Sequence, residues 1–255
     1  MPNHLCLEIC VESVEHAVAA ERGGAHRIEI CSDLPSGGIT PSAGFMQTAR
    51  RHVHTPIHVL IRPRAGDFCY TDDELEIMRD DIQAAKRFGM DGVVLGILHE
   101  NTHVDIERTR ALVELAHPLP VTFHRAFDST RDLETSLEEV IQTGASRILT
   151  SGGEPRATDA LSTLARLVQA AKERILLMPC GAIDSENVVR IARTTLAQEF
   201  HTSVGASRSG STSGGNGVPN GTGASLSRLP SPIFEEQVAR LVSLLDNVSY
   251  DGRVR

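Results

Sequence analysis

The sequence contains no tryptophan, and aromatic residues fill only 4 % of its 255 positions. Any large core must therefore be aliphatic, which a 40 % hydrophobic content can supply. Basic character is also lacking. The formal net charge is −8, and a nucleic-acid surface needs a basic footprint, so no nucleic-acid partner is expected. No apolar run approaches the roughly 18 residues of a membrane helix, so no membrane association is expected either. Met1-Pro2-Asn3-His4 shows neither a basic nor an apolar leader region. The five cysteines (Cys6, Cys10, Cys31, Cys69, Cys180) are odd in number, scattered in spacing and form no CxxC zinc pair. Reduced thiols in a cytoplasmic protein are the expectation.

What is present is an alternation of short apolar strands and helical stretches. Strands are expected near 5–10, 27–31, 57–62, 92–98, 120–125, 147–151, 174–180 and 198–204. Ser13 is expected to cap a helix ending at Gly23, and Thr40-Pro41 to start a second with Pro at its first position. Thr71-Asp72-Asp73-Glu74 reads as a capping box opening a helix that runs to Gly89. Further helices are expected at about 105–116, 132–143, 158–172 and 184–194, with a last one from Ser231-Pro232 through Asn247. Eight β-then-α units imply parallel strands joined by helical crossovers. A closed (β/α)₈ TIM barrel of this kind takes about 250 residues, so one barrel domain over 1–255 is expected. A doubly wound open sheet is the alternative, but its GxGxxG marker is absent. A short internal echo, Gly24-Ala25-His26-Arg27-Ile28 and Gly144-Ala145-Ser146-Arg147-Ile148, precedes strands four units apart. Residues 205–231, rich in Gly, Ser, Asn and Pro, read as a long flexible insertion after strand eight; a lid is the alternative.

Polar residues intrude where core strands should carry none. Glu8 lies in Leu5-Cys6-Leu7-Glu8-Ile9-Cys10 and Glu29 in Arg27-Ile28-Glu29-Ile30-Cys31. His124 ends Val121-Thr122-Phe123-His124, and His201 lies in Glu199-Phe200-His201-Thr202. Acids are almost never buried without a partner. Strand side chains alternate in direction. Leu5, Leu7 and Ile9 then face the helices, and Cys6, Glu8 and Cys10 face the barrel interior. The same parity sends Glu29 and Cys31 inward from strand two and His58, Leu60 and Arg62 inward from strand three. Neighbouring strands are about 4.8 Å apart, so Glu8, Glu29 and Arg62 are expected to meet, with His201 beside Glu8 and His124 across the barrel. Such a group suits an acid/base pair with a cationic clamp, acting on a small anionic or sugar-like molecule. It suits equally a hard-metal site.

The loops add candidates. Arg62-Pro63-Arg64 after strand three offers two arginines for an anion, unless Arg64 simply pairs with Asp67. Asp128 follows His124-Arg125-Ala126-Phe127 and is expected to orient His124 or pair with Arg125. Ser151-Gly152-Gly153, Cys180-Gly181-Ala182 and Gly205-Ala206-Ser207 could offer backbone N–H groups to a phosphate. Cys10 and Cys31 end adjacent strands with the same inward parity. They are soft ligands of the kind that select Cu(I), or a pair of small buried hydrophobes.

Over about residues 5–205 the chain resembles the CutC family. The segments that carry the resemblance are Leu7-Glu8-Ile9-Cys10, Arg27-Ile28-Glu29-Ile30-Cys31, Gly37-Gly38-Ile39-Thr40-Pro41-Ser42 and Ile61-Arg62-Pro63-Arg64-Ala65-Gly66-Asp67-Phe68. To these are added Thr122-Phe123-His124-Arg125-Ala126-Phe127-Asp128 and Leu149-Thr150-Ser151-Gly152-Gly153. The resemblance implies a (β/α)₈ barrel, a cytoplasmic location and a homo-oligomer, dimer or larger. It also implies a role in copper homeostasis, with Cu(I) bound through cysteines.

Overall fold

A computed structural model describes residues 5–204 and 230–250. Among them, eight parallel strands alternate with eight α-helices. The strands are β1 (Cys6–Val11), β2 (Arg27–Ile30), β3 (Ile57–Leu60), β4 (Gly92–Leu95), β5 (Val121–Phe123), β6 (Arg147–Thr150), β7 (Leu176–Pro179) and β8 (Glu199–Thr202). The helices are α1 (Val14–Arg22), α2 (Ala43–His52), α3 (Asp72–Arg87), α4 (Ile106–Ala116), α5 (Leu133–Thr143), α6 (Leu161–Ala171), α7 (Val188–Thr195) and α8 (Ser231–Asp246). The ladder runs β7-β6-β5-β4-β3-β2-β1-β8. β7 and β8 lie side by side without ladder bonds, so the sheet curls into a nearly closed TIM barrel. The doubly wound alternative is excluded, because β1 to β7 follow one another in order without a reversal and β8 lies between β7 and β1.

Local chemistry sets the helix boundaries. Ser13 accepts a hydrogen bond from the His16 N–H and starts α1. Thr71 and Glu74 form the expected capping box of α3. α2 departs from expectation: its cap is Ser42, two residues after Thr40. The Thr40 hydroxyl accepts the Arg62 N–H instead (2.9 Å), and the Thr40 N–H donates to the Arg62 carbonyl (2.9 Å). Thr40 therefore ties the loop after β2 to the end of β3 and cannot also cap a helix. α6 and α7 begin three and four residues later than the spacing suggested, because 3₁₀ and turn segments precede them.

The aliphatic strand faces pack outward, as parity required. Leu7, Ile9, Ile28, Ile30, Ile57 and Val59 are fully buried against a shell that includes Ala17, Ala20, Met46, Met78 and Phe234. Alanines let α1 lie close to the sheet, and Gly23 lets it cross α8: a Cβ there would stand 2.7 Å from the Val238 Cβ. None of the described helices is long and apolar enough to cross a membrane. The Gly/Ser-rich stretch 205–229 lies outside the described residues; Ser231 itself opens α8.

Candidate functional site

The barrel interior is polar along one side. Register places Glu8 beside Arg27 on β2 and beside His201 on β8, and places Cys10 beside Glu29. Glu8 is wholly buried and meets three basic side chains. The Arg27 Nε–H donates to Glu8 Oε2. The His201 Nδ1–H donates to Glu8 Oε1 at 2.6 Å, and His58 Nδ1 stands 3.9 Å from Glu8 Oε2. Burial opposes ionisation of Glu8, but the guanidinium and the imidazole outweigh it and hold the carboxyl well below its usual range. Burial by itself would lower His201, yet its bond to Glu8 and the nearby Glu29 raise it. Glu8 is thus ionised and accepts, which assigns the Nδ1 proton to His201 and leaves Nε2 as the lone-pair nitrogen of the neutral ring.

Towards the carboxyl ends of β1 and β2 the groups change character. The Cys10 thiol donates to Glu29 Oε1 at 3.4 Å, and its sulfur lies 3.4 Å from the Cys31 sulfur. Glu29 is 4 % exposed, and its second oxygen has no hydrogen-bond partner. Burial pushes the Glu29 carboxyl up to about 7; His201 opposes the shift and the Glu8 charge adds to it. Hydrogen bonding to Cys31, then burial, keeps the Cys10 thiol protonated well above its ordinary range. Donor atoms of Cys10, Glu29 and His201 all fall within 4.8 Å of one another.

Three participants escaped the sequence reading, Arg27, Arg147 and Glu199, while His58 points inward as parity required. Arg27 reaches Glu199 Oε2 at 2.6 Å, and Arg147 bonds the same carboxylate through Nε at 2.7 Å. The signal was available. Arg27 shares the parity of Glu29, Glu199 that of His201, and Arg27 and Arg147 occupy matching places in the internal echo.

Other expectations are corrected. Arg62 does not join Glu8 and Glu29. Its guanidinium donates to the carbonyls of Ser36 (3.1 Å), Gly38 (2.8 Å) and Gly66 (2.8 Å) and stacks 4.9 Å from the Phe68 ring centroid. β3 ends at Leu60, so Arg62 lies beyond the ladder, where loop backbone folds around it. His124 also stands apart. Its Nδ1 accepts the Ala126 N–H, its ring packs on Phe68, and burial with the Arg62 charge lowers it to about 3. Arg64 pairs with Glu74 (2.5 Å) and Asp67 (3.0 Å) rather than standing free for an anion.

Asp128 pairs with Arg125 (2.8 Å) and does not orient His124. It also accepts the Ser151 and Gly153 N–H groups and the Thr150 hydroxyl, while the Gly152 N–H goes to Thr150 Oγ1. The expected phosphate donors at Ser151, Gly152 and Gly153 are therefore already engaged, mainly by a carboxylate of the protein itself. Gly181 has φ +94° and approaches Ser151 so closely that a Cβ would lie 3.0 Å from the Ser151 Cβ. Its carbonyl accepts the Ala157 N–H.

Comparison with known proteins agrees with this architecture. A family model described as the CutC family matches residues 5–206. The chain belongs to the CutC family. It is 48 % identical over 206 residues to the human copper homeostasis protein cutC homolog, covering 81 % of this chain and 76 % of that protein. It is 47 % identical over 199 residues to a family protein CutC of Vibrio campbellii, covering 77 % and 81 %. A solved CutC structure from Streptococcus agalactiae superposes with a TM-score of 0.73 at 35 % identity, covering 77 % of this chain and 97 % of that one. Thiamine phosphate pyrophosphorylase from Pyrococcus furiosus shares the fold alone, at 17 % identity, a TM-score of 0.58 and coverage of 95 % and 98 %.

Proposed function

We propose that this CutC family member acts in copper homeostasis by binding Cu(I) at Cys10 and Cys31. The observation that carries the reading is the pair of buried sulfurs 3.4 Å apart at the ends of adjacent strands. Thiolates are the ligands that select Cu(I) over harder ions. The surroundings suit a cation in a second respect, since the nearby Glu29 Oε2, though no Cu(I) ligand, is buried with no hydrogen-bond partner. The ion is cargo, and the chain holds it by exchanging thiol protons for metal. This role requires reduced thiols, so the reading includes a reducing compartment such as the cytoplasm. An enzyme acting on a small anion finds less support. Both terminal nitrogens of its clamp, Arg62, are engaged by backbone carbonyls, and Glu8 is held by Arg27.

Anaerobic titration against a chromophoric Cu(I) chelator tests the reading. One equivalent is expected to bind tightly, and Cys10→Ser and Cys31→Ser are each expected to remove that binding. Unchanged affinity in the double variant overturns it.

A further inference from the structure

We propose that Cys10, Glu29 and His201 form a second kind of metal site in the same part of the barrel interior, one that takes a borderline divalent cation of the zinc type. It rests on the placement of three side chains and does not require Cu(I) binding. A sulfur, a carboxylate oxygen and an imidazole nitrogen, each from a different strand, lie within 4.8 Å of one another. That mixed S/O/N set is the one zinc uses, whereas Cu(I) is better served by sulfur alone. Cys31 touches Cys10 but is not a member of the three-donor group. The two metals thus share one ligand and differ in the rest.

Two observations argue that the group is built for a cation. Glu29 Oε2 is buried and unpartnered, which is costly unless something positive comes to it. His201 is held as metal-bound histidines are held. Its Nδ1–H is fixed on the Glu8 carboxylate at 2.6 Å, Glu8 is fixed in turn by Arg27, and Nε2 is left to ligate. A tetrahedral ion bonding at about 2.0–2.3 Å draws its donors to about 3.5 Å apart, so loading closes the cluster by at most about 1.3 Å. The Cys10 proton leaves on binding and the Glu29–Cys10 hydrogen bond is replaced by two metal bonds. Glu8 is a positioning residue here.

The test is titration of the full chain with Zn²⁺ against a chromophoric chelator, with Co²⁺ as a spectroscopic surrogate. One equivalent should bind, and Co²⁺ should give a thiolate-to-metal charge-transfer band. His201→Gln and Glu29→Gln should each weaken Zn²⁺ binding at least 100-fold, and Glu8→Gln by about 10- to 100-fold through the lost orientation of the imidazole. Cys31→Ser should leave Zn²⁺ affinity within about 3-fold while abolishing Cu(I) binding; circular dichroism and thermal unfolding establish that each variant folds. Zn²⁺ affinity unchanged in both His201→Gln and Glu29→Gln overturns the proposal, as does a Co²⁺ spectrum without the thiolate band. Loss of Zn²⁺ binding in Cys31→Ser with retention in His201→Gln also overturns it and points to a dithiolate site. Because Cu(I) is read on the same variants, failure of the zinc site and failure of the Cu(I) reading give different patterns.

Discussion

Arg27 and Arg147 open strands four units apart in the chain, and both guanidiniums end on one carboxylate, Glu199. The short Gly-Ala-x-Arg-Ile echo in the sequence thus has a chemical counterpart inside the barrel. The two arginines are not equivalent in load, however. Arg27 also neutralises Glu8, which is wholly buried, whereas Glu199 is 12 % exposed in its side chain and keeps Arg27 when Arg147 is removed. Breaking a buried pair from one side costs about 3–5 kcal/mol because the other charge is stranded. Arg27→Met should therefore lower unfolding free energy by about 3–5 kcal/mol, and Arg147→Met by clearly less. Urea denaturation followed by far-UV circular dichroism measures both. Equal losses would show that Glu8 does not depend on Arg27.

β4 opens on Gly92 and is followed at once by Gly96, and each glycine faces an imidazole from a neighbouring segment. A Cβ on Gly92 would run into the His58 ring, and one on Gly96 would lie 2.7 Å from His124 Nδ1. Neither glycine has a positive φ, so the requirement is space and not backbone conformation. Gly92→Ala and Gly96→Ala should each destabilise by about 1–3 kcal/mol, the range for overpacking a filled interior. Melting temperatures of the two variants check this, and a wild-type value for either would mean the histidines move aside freely.

Much of this interior was legible from strand parity. Alternation in β1 and β2 directs Glu8, Cys10, Glu29 and Cys31 inward, and β8 brings His201 to Glu8 once the barrel closes. Parity failed at Arg62 because it applies only within a ladder, and β3 ends two residues earlier. Its side chain answers to loop carbonyls that no periodicity encodes. Arg27 and Glu199 were passed over for the opposite reason. A long charged side chain at a strand start reads as a solvated end, and only the three-dimensional meeting of two arginines on one acid shows otherwise. The loop after β6 reads as a source of N–H groups for a phosphate, but Ser151 and Gly153 donate to Asp128 from the segment after β5, and Gly152 donates to Thr150 Oγ1.

Buried titrating groups make stability depend on pH in a way that separates them. Burial lowers His58 to about 4, with Glu8 opposing, and lowers His124 to about 3. In the unfolded chain each takes a proton near about pH 6.5. Between about pH 6.5 and about pH 5 the unfolded state therefore binds more protons at these two sites, and stability falls as pH falls. Glu29 acts in the opposite sense. Its folded value of about 7 means the native state takes the proton first, so acid favours folding at that residue until the unfolded carboxyl titrates near about pH 4.3. His124→Gln should flatten the decline by about 1.4 kcal/mol per pH unit, and Glu29→Gln should steepen it by a similar amount. Unfolding free energies at a few pH values across this window measure the slopes. Parallel curves for wild type and Glu29→Gln would remove Glu29 from the set of shifted groups.

Asp128 fills a place that loops of this fold commonly offer to a ligand. Its carboxylate is 1 % exposed, accepts from Thr150, Ser151 and Gly153, and is paired with Arg125. Removing it leaves a cluster of backbone N–H groups and the half-buried Arg125 guanidinium facing one another without an anion. Asp128→Ala should cost about 3–5 kcal/mol for that reason. The same vacancy has the donors and charge of an anion site. Inorganic phosphate should then raise the melting temperature of Asp128→Ala more than that of wild type, because a ligand held only by the native state stabilises it. Chloride at matched ionic strength should not reproduce the difference. Asp128→Asn serves where the alanine variant folds poorly, since it keeps the side-chain volume and removes the charge facing Arg125. If phosphate shifts wild type and both variants equally, the carboxylate is not standing in for an anion, and the loop glycines serve packing alone.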